Sequence, residues 1–288
     1  MEVFAMHNRG EDSEKDSKNS LLNEKPISKY VIWALYDDAE SSYQKAIKKY
    51  FDNEFIVYSI GINDPSKIKF KESENYKYKQ IDLSLLNFNL INQLKQLEKP
   101  DIILASPPCE SWSGADCGGK MFAKITTTSE KVEDDTSIWK VRNKKYYDEY
   151  NKTAHPVKRR LFLQKEIGRI LGISTIGATI HIIQTFKPKI WIIENPATSK
   201  TWDFQKHHWD FHNKFYENKT YYSSYDIDFS LKPTIFKSNI KLDLLTNRNK
   251  GNNDHMARGS YSKRSSIPSE LIKDIINQIK IKLNKKSK

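Results

Sequence analysis

Residues 165–196, KEIGRILGISTIGATIHIIQTFKPKIWIIENP, have the pattern of a helix followed directly by a strand. The segment 165–188 is apolar on nearly every helical turn, which predicts a helix packed deeply in the protein. The segment 189–196 is a short apolar run that ends in Glu-Asn-Pro, which predicts a buried strand of a parallel sheet. A helix that leads directly into such a strand is the repeating unit of α/β proteins.

The same alternation of strand and helix recurs along the chain. Short apolar runs predict three further strands, and apolar residues at steps of three and four predict three further helices. The strands fall at 30–36, 54–64 and 101–106, and the helices at 41–51, 81–100 and 267–283. Residues 220–240 predict paired strands with a turn around Lys232 and Pro233. We therefore expect a Rossmann-like α/β domain with a mostly parallel sheet.

The composition indicates one large domain in a reducing compartment. With 288 residues the chain can bury a substantial core. Its two cysteines, Cys109 and Cys117, make neither a disulfide framework nor a zinc-type spacing with histidines. Residues 1–28 are rich in charge and predict a loose arm. We see no apolar stretch of about 18 residues and no signal peptide, which predicts a soluble cytoplasmic protein without a membrane partner.

The charge of the chain favours a polyanionic partner. The formal net charge is +12, and lysines and arginines near phosphates gain affinity by releasing counterions. Nucleic acid is the obvious candidate. An alternative explanation is that AT-biased coding produces a chain rich in Lys, Asn and Ile without any functional demand.

Polar residues follow each predicted strand at the end where α/β proteins bind ligands. In a parallel sheet, ligands occupy the crevice outside the carboxyl ends of the strands. This rule places four groups at one rim, which are 36–38, 61–64, 107–109 and 194–196.

Cys109 and Glu194 are the chemically distinctive pair at this rim. Each comes directly after an apolar strand and each is flanked by proline. A thiolate is a strong nucleophile, and a carboxyl group in a partly desolvated cleft can hold or deliver a proton. No histidine accompanies them in a protease-like spacing. The structural alternative is that Cys109 fills apolar space and Glu194 caps the next helix.

Four segments, in this order, resemble the cytosine-C5 methyltransferases of phage type. PDIILASPPCESWS (100–113) resembles the catalytic Pro-Cys loop of that family, and IWIIENPATSK (190–200) resembles its Glu-Asn strand. YYSSYDIDFSLKPTIFKSN (221–239) and ARGSYSKRSSIPSELIKDI (257–275) resemble its later motifs. The resemblance implies a Rossmann-like class I methyltransferase domain.

The resemblance also implies a reaction and its residues. Cys109 would attack C6 of a flipped-out cytosine in double-stranded DNA, and Glu194 would hold the N3 and amino edge of the base while C5 accepts the methyl group of S-adenosylmethionine. Asn195 and Pro196 would shape the pocket around the base. The other residues assigned to the substrate are Ser111, Arg258 and Arg264.

The expected cofactor cradle departs from the family pattern. The family has a glycine-rich turn after its first strand, whereas this chain has LYDDAESS at 35–42. Its second strand normally ends in an acidic residue, and here the matching place is Gly61. The residues assigned to S-adenosylmethionine are Tyr36, Asp37, Asp38, Asp64, Asp82 and Pro107. Either Asp64 or one of Asp37 and Asp38 would supply the missing carboxylate, or the cofactor sits differently. Asp82 could instead cap the helix that follows it.

The resemblance divides the chain into four parts and leaves three functions open. The parts are an arm (1–28), the catalytic domain (29–214), a short target-recognition region (215–256) and a closing helix with a basic tail (257–288). The enzyme would be a monomeric DNA methyltransferase of a bacterium or phage-infected cell, either solitary or paired with a restriction endonuclease. The alternatives are an RNA (tRNA) cytosine methyltransferase and a catalytically silent relative that binds nucleic acid.

Overall fold

The computed structural model describes residues 29–37, 40–109, 112, 122–124, 139–141, 143–156, 159–213, 215–257 and 261–286. The proposed arm therefore lies outside the described residues. The strands are β1 Tyr30–Leu35, β2 Phe55–Gly61, β3 Tyr76–Gln80, β4 Ile102–Ala105, β5 Phe122–Lys124, β6 Trp139–Val141, β7 Ile190–Pro196, β8 Tyr216–Tyr221 and β9 Pro233–Ser238. The helices are α1 Ser42–Phe51, α2 Leu90–Leu94, α3 Lys144–Thr153, α4 Phe162–Phe186, α5 Thr201–His207, α6 Asp254–Ala257, α7 Tyr261–Ser265 and α8 Ser269–Lys286.

Seven strands form one mostly parallel sheet in the order β3-β2-β1-β4-β7-β9-β8. Only β9 runs antiparallel to its neighbours β7 and β8, while β5 and β6 form a separate two-stranded ribbon. The strand order reverses between β1 and β4, which is where open α/β sheets bind ligands. The prediction of a Rossmann-like α/β domain with a mostly parallel sheet is confirmed.

Both faces of the sheet are buried because its strands alternate between two cores. Trp33 and Leu35 point into one core with residues of α4 and α5. Ile32 and Ala34 point into the other with residues of α1 and α8. This burial on both sides explains why the central strands appear in the sequence as continuous apolar runs.

Helix α4 is the predicted apolar helix, extended at its start. It covers 25 residues, and within the described part of the chain it is one helix long and apolar enough to cross a membrane. The expectation that no stretch reaches that length is therefore wrong for α4. However, 56% of its apolar window is buried inside the protein, where Ile176, Ile180 and Ile183 pack against the sheet.

Helix α2 is much shorter than the helix expected over 81–100. It covers only five residues, Leu90–Leu94. Asn87 accounts for the late start, because its side chain accepts a hydrogen bond from Asn89 N and donates another to the Asp82 carbonyl. Such local bonds offer the backbone an alternative to the helix. Consequently Asp82 does not cap a helix that begins beside it.

The connection between β8 and β9 is longer than the predicted turn at Lys232 and Pro233. Pro233 begins β9, and residues 222–232, which include a 3-10 turn at Tyr222–Ser224, join the two strands. Helix α8 then packs beside α1, where Tyr50 Oη donates a 2.5 Å hydrogen bond to Glu270. The segment proposed for target recognition thus contributes two strands to the main sheet.

Candidate active site

The loop that carries Cys109 is joined to the strand that carries Glu194. Strands β4 and β7 are parallel, and Ala105, the last residue of β4, lies opposite Ile193, the residue before Glu194. One residue beyond Glu194, Asn195 Nδ2 donates a 3.0 Å hydrogen bond to the Pro107 carbonyl oxygen. Because Pro107 lies two residues before Cys109, this bond holds the start of the cysteine loop against the end of β7.

The loop after Cys109 is anchored by a tryptophan that sequence reasoning missed. Trp112 N donates to the Cys109 carbonyl oxygen at 3.0 Å, and the Trp112 carbonyl accepts from Lys200 N at 3.0 Å. The indole is fully buried and packs on Phe204 of α5 with ring centroids 4.8 Å apart. Cys109 itself is half-buried. The large apolar side chain of Trp112 in an otherwise polar loop was the feature of the sequence that could have predicted this anchor.

Glu194 is a buried carboxylate with a fixed donor. Its side chain faces the core of α1 and α8, and only 6% of the residue is exposed. Tyr222 Oη donates a 3.0 Å hydrogen bond to Glu194 Oε1. Burial and the neighbouring carboxylate raise the pKa of Tyr222 well above its usual value, so the hydroxyl stays protonated as a donor. Tyr222 was not predicted as a site residue.

The end of β7 is fixed on both sides by its neighbours. Asn195 is fully buried, and its Oδ1 has no hydrogen-bond partner among the described residues. The Pro196 carbonyl accepts a 3.0 Å bond from Trp202 Nε1, and Ala197 N donates to the Pro233 carbonyl at 2.9 Å. A buried acceptor beside Glu194 is a group that a bound ligand could satisfy.

Asp37, assigned to the cofactor, caps helix α1 in the structure. Its carboxylate accepts hydrogen bonds from Tyr43 N at 3.1 Å, Gln44 N at 3.4 Å and Ser59 Oγ at 2.8 Å. An anion at this position satisfies the first amide groups of the helix and complements its dipole. Asp37 is 4% exposed, so most of its bonding capacity is used within the protein.

Tyr36 joins the end of β1 to helix α4. Its backbone has a positive φ of 56°, which is uncommon for a residue with a side chain. The hydroxyl lies 2.6 Å from the Leu83 carbonyl oxygen and 2.9 Å from that of Thr175. Burial raises the pKa of Tyr36 above its usual value. The aromatic ring therefore spans the space between β1, the loop after β3 and α4.

The remaining acidic candidates are exposed. Asp64 accepts hydrogen bonds from Ser66 N at 2.8 Å and Ser66 Oγ at 2.7 Å, and these bonds lower its pKa. Asp82 accepts a 3.1 Å bond from Ser84 Oγ. The Asp82 carboxylate accepts one hydrogen bond and that of Asp37 accepts three, so Asp82 has more lone pairs available to a ligand.

The start of α1 contains buried polar atoms that a bound cofactor could satisfy. Ser41 Oγ and both amide atoms of Gln44 are buried without a hydrogen-bond partner among the described residues. Gly61, at the adjoining end of β2, lies beside the Asp37 carbonyl. An orphaned hydroxyl and amide at the start of this helix fit a polar ligand that has both donors and acceptors, such as the amino and carboxylate groups of S-adenosylmethionine.

Of the other assigned residues, Asp38, Ser111 and Arg258 lie outside the described residues. Arg264 is exposed on α7. Three residues later, Ile267 N donates a 3.3 Å bond to Ser42 Oγ. The closing segment therefore returns to the start of α1 and to the rim.

Comparisons with known proteins give distant structural likeness. No family model matches the chain, and no curated protein matches it. The chain is similar to a structure described as a DNA modification methyltransferase encoded within a prophage (E. coli), at 14% identity and a TM-score of 0.42, over 75% of this chain and 49% of the other. It is also similar to an Entamoeba histolytica methyltransferase at 10% identity and a TM-score of 0.39, over 78% and 58% of the two chains. The chain spans about half the length of the first structure.

Proposed function

We propose that this chain transfers a methyl group from S-adenosylmethionine to C5 of cytosine in double-stranded DNA, through a covalent bond between Cys109 and C6. The observation that carries the proposal is the bond from Asn195 to Pro107. It holds a cysteine loop beside a buried carboxylate, at the rim where sheets of this topology bind ligands. A thiol and a carboxylate held together in this way suit nucleophilic attack on a ring that must be protonated at the same time.

Cys109 would act as the nucleophile. Its thiolate adds to C6 of the cytosine, and the electron pair of the C5–C6 bond moves to C5. Once C5 had accepted the methyl group and S-adenosylhomocysteine had left, water would take the C5 proton, the C5–H electron pair would re-form the C5–C6 double bond, and the thiolate would leave C6. The anchored loop supports this role because a nucleophile that is already held in the correct orientation loses less entropy when it reaches the transition state.

Glu194 would bind the edge of the base. Tyr222 donates to Oε1, and no side chain or backbone group of the described residues donates to Oε2, which leaves that oxygen to face N3 and the amino group of cytosine. The Tyr222 donor fixes the orientation of the carboxylate. The role of Glu194 would be to stabilise the charge that develops on the ring as Cys109 adds.

The residues that would hold the cofactor are those at the start of α1 and along the adjoining strand ends. S-adenosylmethionine supplies the electrophilic methyl group when it is bound. Ser41 and Gln44 would satisfy its polar end, and Asp82 would contact the end that carries the adenine. Tyr36 would line the space between them.

The substrate must present one base outside the duplex stack. A ring inside a duplex cannot reach Cys109, so the base has to be flipped into the rim. The net charge of +12 supports a nucleic-acid substrate, because cations gain affinity for phosphates through counterion release. We further propose that 215–256 recognises the target and that the monomer works either alone or with a restriction endonuclease.

The experiment is methyl transfer from labelled S-adenosylmethionine to DNA and, separately, to RNA. We expect label in DNA with the wild type and with Cys117→Ala, which is the matched control, and none with Cys109→Ala. A covalent complex on DNA that contains 5-fluorocytosine should form only when Cys109 is present. Label in RNA alone would assign the alternative substrate. Label that survives Cys109→Ala, or no label in either polymer, would contradict the proposed reaction.

A further inference from the structure

We propose that Lys219, Tyr221 and Arg248 form a contact surface for the nucleic-acid strand next to the reacting base. The Tyr221 ring would stack on a base or sugar, and the two cations would contact phosphates. The class of ligand rests on the proposed function, whereas the surface itself is defined by the contacts below. We call these three residues the Tyr221 surface.

Two cations lie close to one partly exposed aromatic ring. The Lys219 Nζ atom lies 6.0 Å from the centroid of the Tyr221 ring, and the Arg248 guanidinium carbon lies 5.6 Å from it. Lys219 and Arg248 are both exposed. Aromatic rings interleaved with cations are what single nucleic-acid strands bind, because every base has a face that can stack and every nucleotide has a phosphate.

Neither cation of the Tyr221 surface has a carboxylate within 4 Å in the described part of the chain. Some other lysines that lie over tyrosines do have one, whereas Lys48, Lys49 and Lys232 have none among the described residues. Lys273 lies 4.7 Å from the Tyr50 ring and 3.1 Å from a Glu270 oxygen. Similarly, Lys189 lies 5.0 Å from the Tyr30 ring and 2.9 Å from an Asp101 oxygen. The Tyr221 surface thus keeps an uncompensated positive charge that an anionic partner can neutralise.

The Tyr221 surface borders the candidate active site. Tyr221 directly precedes Tyr222, the residue that donates to Glu194. In the sheet, Tyr221 lies opposite Pro233, and the next residue, Thr234, lies opposite Pro196 at the end of β7. A strand whose base reaches Glu194 would therefore pass within one or two residues of Tyr221.

The backbone around Arg248 is held in place before any ligand binds. Ser224 Oγ donates to the Asn247 carbonyl, and Ser223 Oγ donates to the Asn249 carbonyl at 2.8 Å. These two bonds fix the residues on both sides of Arg248. A surface that is already ordered loses less entropy when it binds.

Close packing on the far side of this segment depends on a glycine. A Cβ atom added at Gly251 would collide with the Phe229 carbonyl oxygen, so only glycine lets the segment approach the turn after β8 this closely. The close packing of Gly251 against Phe229 keeps the neighbouring Arg248 near Tyr221.

The test is binding of a fluorescent DNA duplex with one central cytosine, followed by anisotropy over a range of NaCl concentrations. All proteins carry Cys109→Ala, so that binding is read without turnover. We expect Lys219→Gln with Arg248→Gln to weaken binding about tenfold at low salt and to reduce the slope of log K against log salt by about 2, since each phosphate contact contributes about 0.9. Tyr221→Leu should weaken binding at least fivefold with little change of slope, because stacking is not screened by salt.

Lys273→Gln is the matched control, since Lys273 also lies over a tyrosine but is paired with Glu270. It should bind like the parent protein. Single-stranded DNA and RNA of the same sequence identify the polymer. Polyglutamate and anionic lipid vesicles test whether any polyanion suffices. Circular dichroism confirms that the variants are folded.

The outcomes separate this surface from the proposed reaction, which is measured in parallel by methyl transfer with Cys109 restored. If the double variant and Tyr221→Leu bind DNA as tightly as the parent protein, the proposed contact surface is wrong, even if the wild type transfers methyl groups. If they weaken binding while the wild type transfers no methyl group, the surface stands and the reaction does not. The proposal would also be overturned if Lys273→Gln weakened DNA binding as much as the double variant does. It would be overturned as well if the parent protein bound polyglutamate as tightly as DNA.

Discussion

Asn195 Nδ2 donates a hydrogen bond of 3.0 Å to the Pro107 carbonyl oxygen, across 88 residues of sequence. The bond joins the end of β7 to the loop of Cys109. Both groups are shielded from water, so breaking the bond leaves a polar group without a partner. It adds a side-chain contact between the two segments beyond the pairing of β4 with β7.

Asn195→Ala is expected to reduce both stability and methyl transfer. Loss of the bond should cost about 1–3 kcal/mol of the free energy of unfolding. It should lower kcat by about a hundredfold, because a nucleophile displaced by about 1 Å loses a similar factor. The measurements are urea unfolding and initial rates of methyl transfer.

Asn239→Ala is the control for that prediction. Asn239 Nδ2 donates a 3.0 Å bond to the Lys189 carbonyl at the opposite end of β7. This variant should lose stability and keep kcat. If both variants lowered kcat alike, the bond from Asn195 to Pro107 would have no special role in placing Cys109.

Tyr222→Phe is expected to lower kcat about tenfold with little change in KM for DNA. The substitution keeps the ring and removes only the donor to Glu194 Oε1, and a tenfold change in rate corresponds to about 1.4 kcal/mol. Tyr225→Phe is the control, since its hydroxyl donates a 2.6 Å bond to Asp274 away from Glu194. A wild-type kcat for Tyr222→Phe would show that Glu194 does not need this donor.

Lys237 should make the stability of the protein depend on pH above neutrality. It is 3% exposed, with Nζ donating to Gln205 Oε1 and to the Phe211 carbonyl. Burial lowers the pKa of Lys237 to about 8 from 10.5. Between these two values the unfolded chain keeps the proton that the folded protein has released, so stability increases as pH rises. The total increase should be at most about 3 kcal/mol.

The difference between the wild type and Lys237→Met isolates this effect from other titrating groups. The free energy of unfolding of the wild type should rise relative to that of the variant from pH 8 to pH 10. Lys206→Met, a change at an exposed lysine of α5, should follow the wild type. Parallel curves for the wild type and Lys237→Met would mean that Lys237 does not titrate in this range.

Asp37→Asn should destabilise helix α1. An amide cannot accept all the bonds that Tyr43 N, Gln44 N and Ser59 Oγ donate to the carboxylate, and loss of a helix cap costs about 1–2 kcal/mol. Asp64→Asn, at an exposed carboxylate, should change stability less. Because Ser41 and Gln44, which we propose to bind the cofactor, lie at the start of the helix that Asp37 caps, calorimetric titration with S-adenosylhomocysteine should also show weaker binding to Asp37→Asn. If Asp37→Asn bound S-adenosylhomocysteine as tightly as the wild type does, Asp37 would serve only as a cap of helix α1.

The strands and the position of the reactive rim could be predicted from the sequence. Apolar runs such as 30–36 and 101–106 predict buried strands because such a strand must be apolar on both faces. Parallel strands end at one edge, so the sequence predicts that Cys109 and Glu194 lie at the same edge of the sheet. The helix at 81–100 could not be predicted correctly, since the side chain of Asn87 replaces helical bonds with local ones.

The α/β class and the rim at the carboxyl ends of the strands follow from periodicity and from the order of elements, whereas the reactive roles of Cys109 and Glu194 stay predictions. The bonding partners at the rim became known only from the folded structure. It paired Tyr222 with Glu194, joined Asn195 to Pro107 and used Asp37 to cap α1. The physical reason is distance along the chain: a hydrogen bond between residues 28 or 88 positions apart depends on the packing of whole elements and leaves no local pattern.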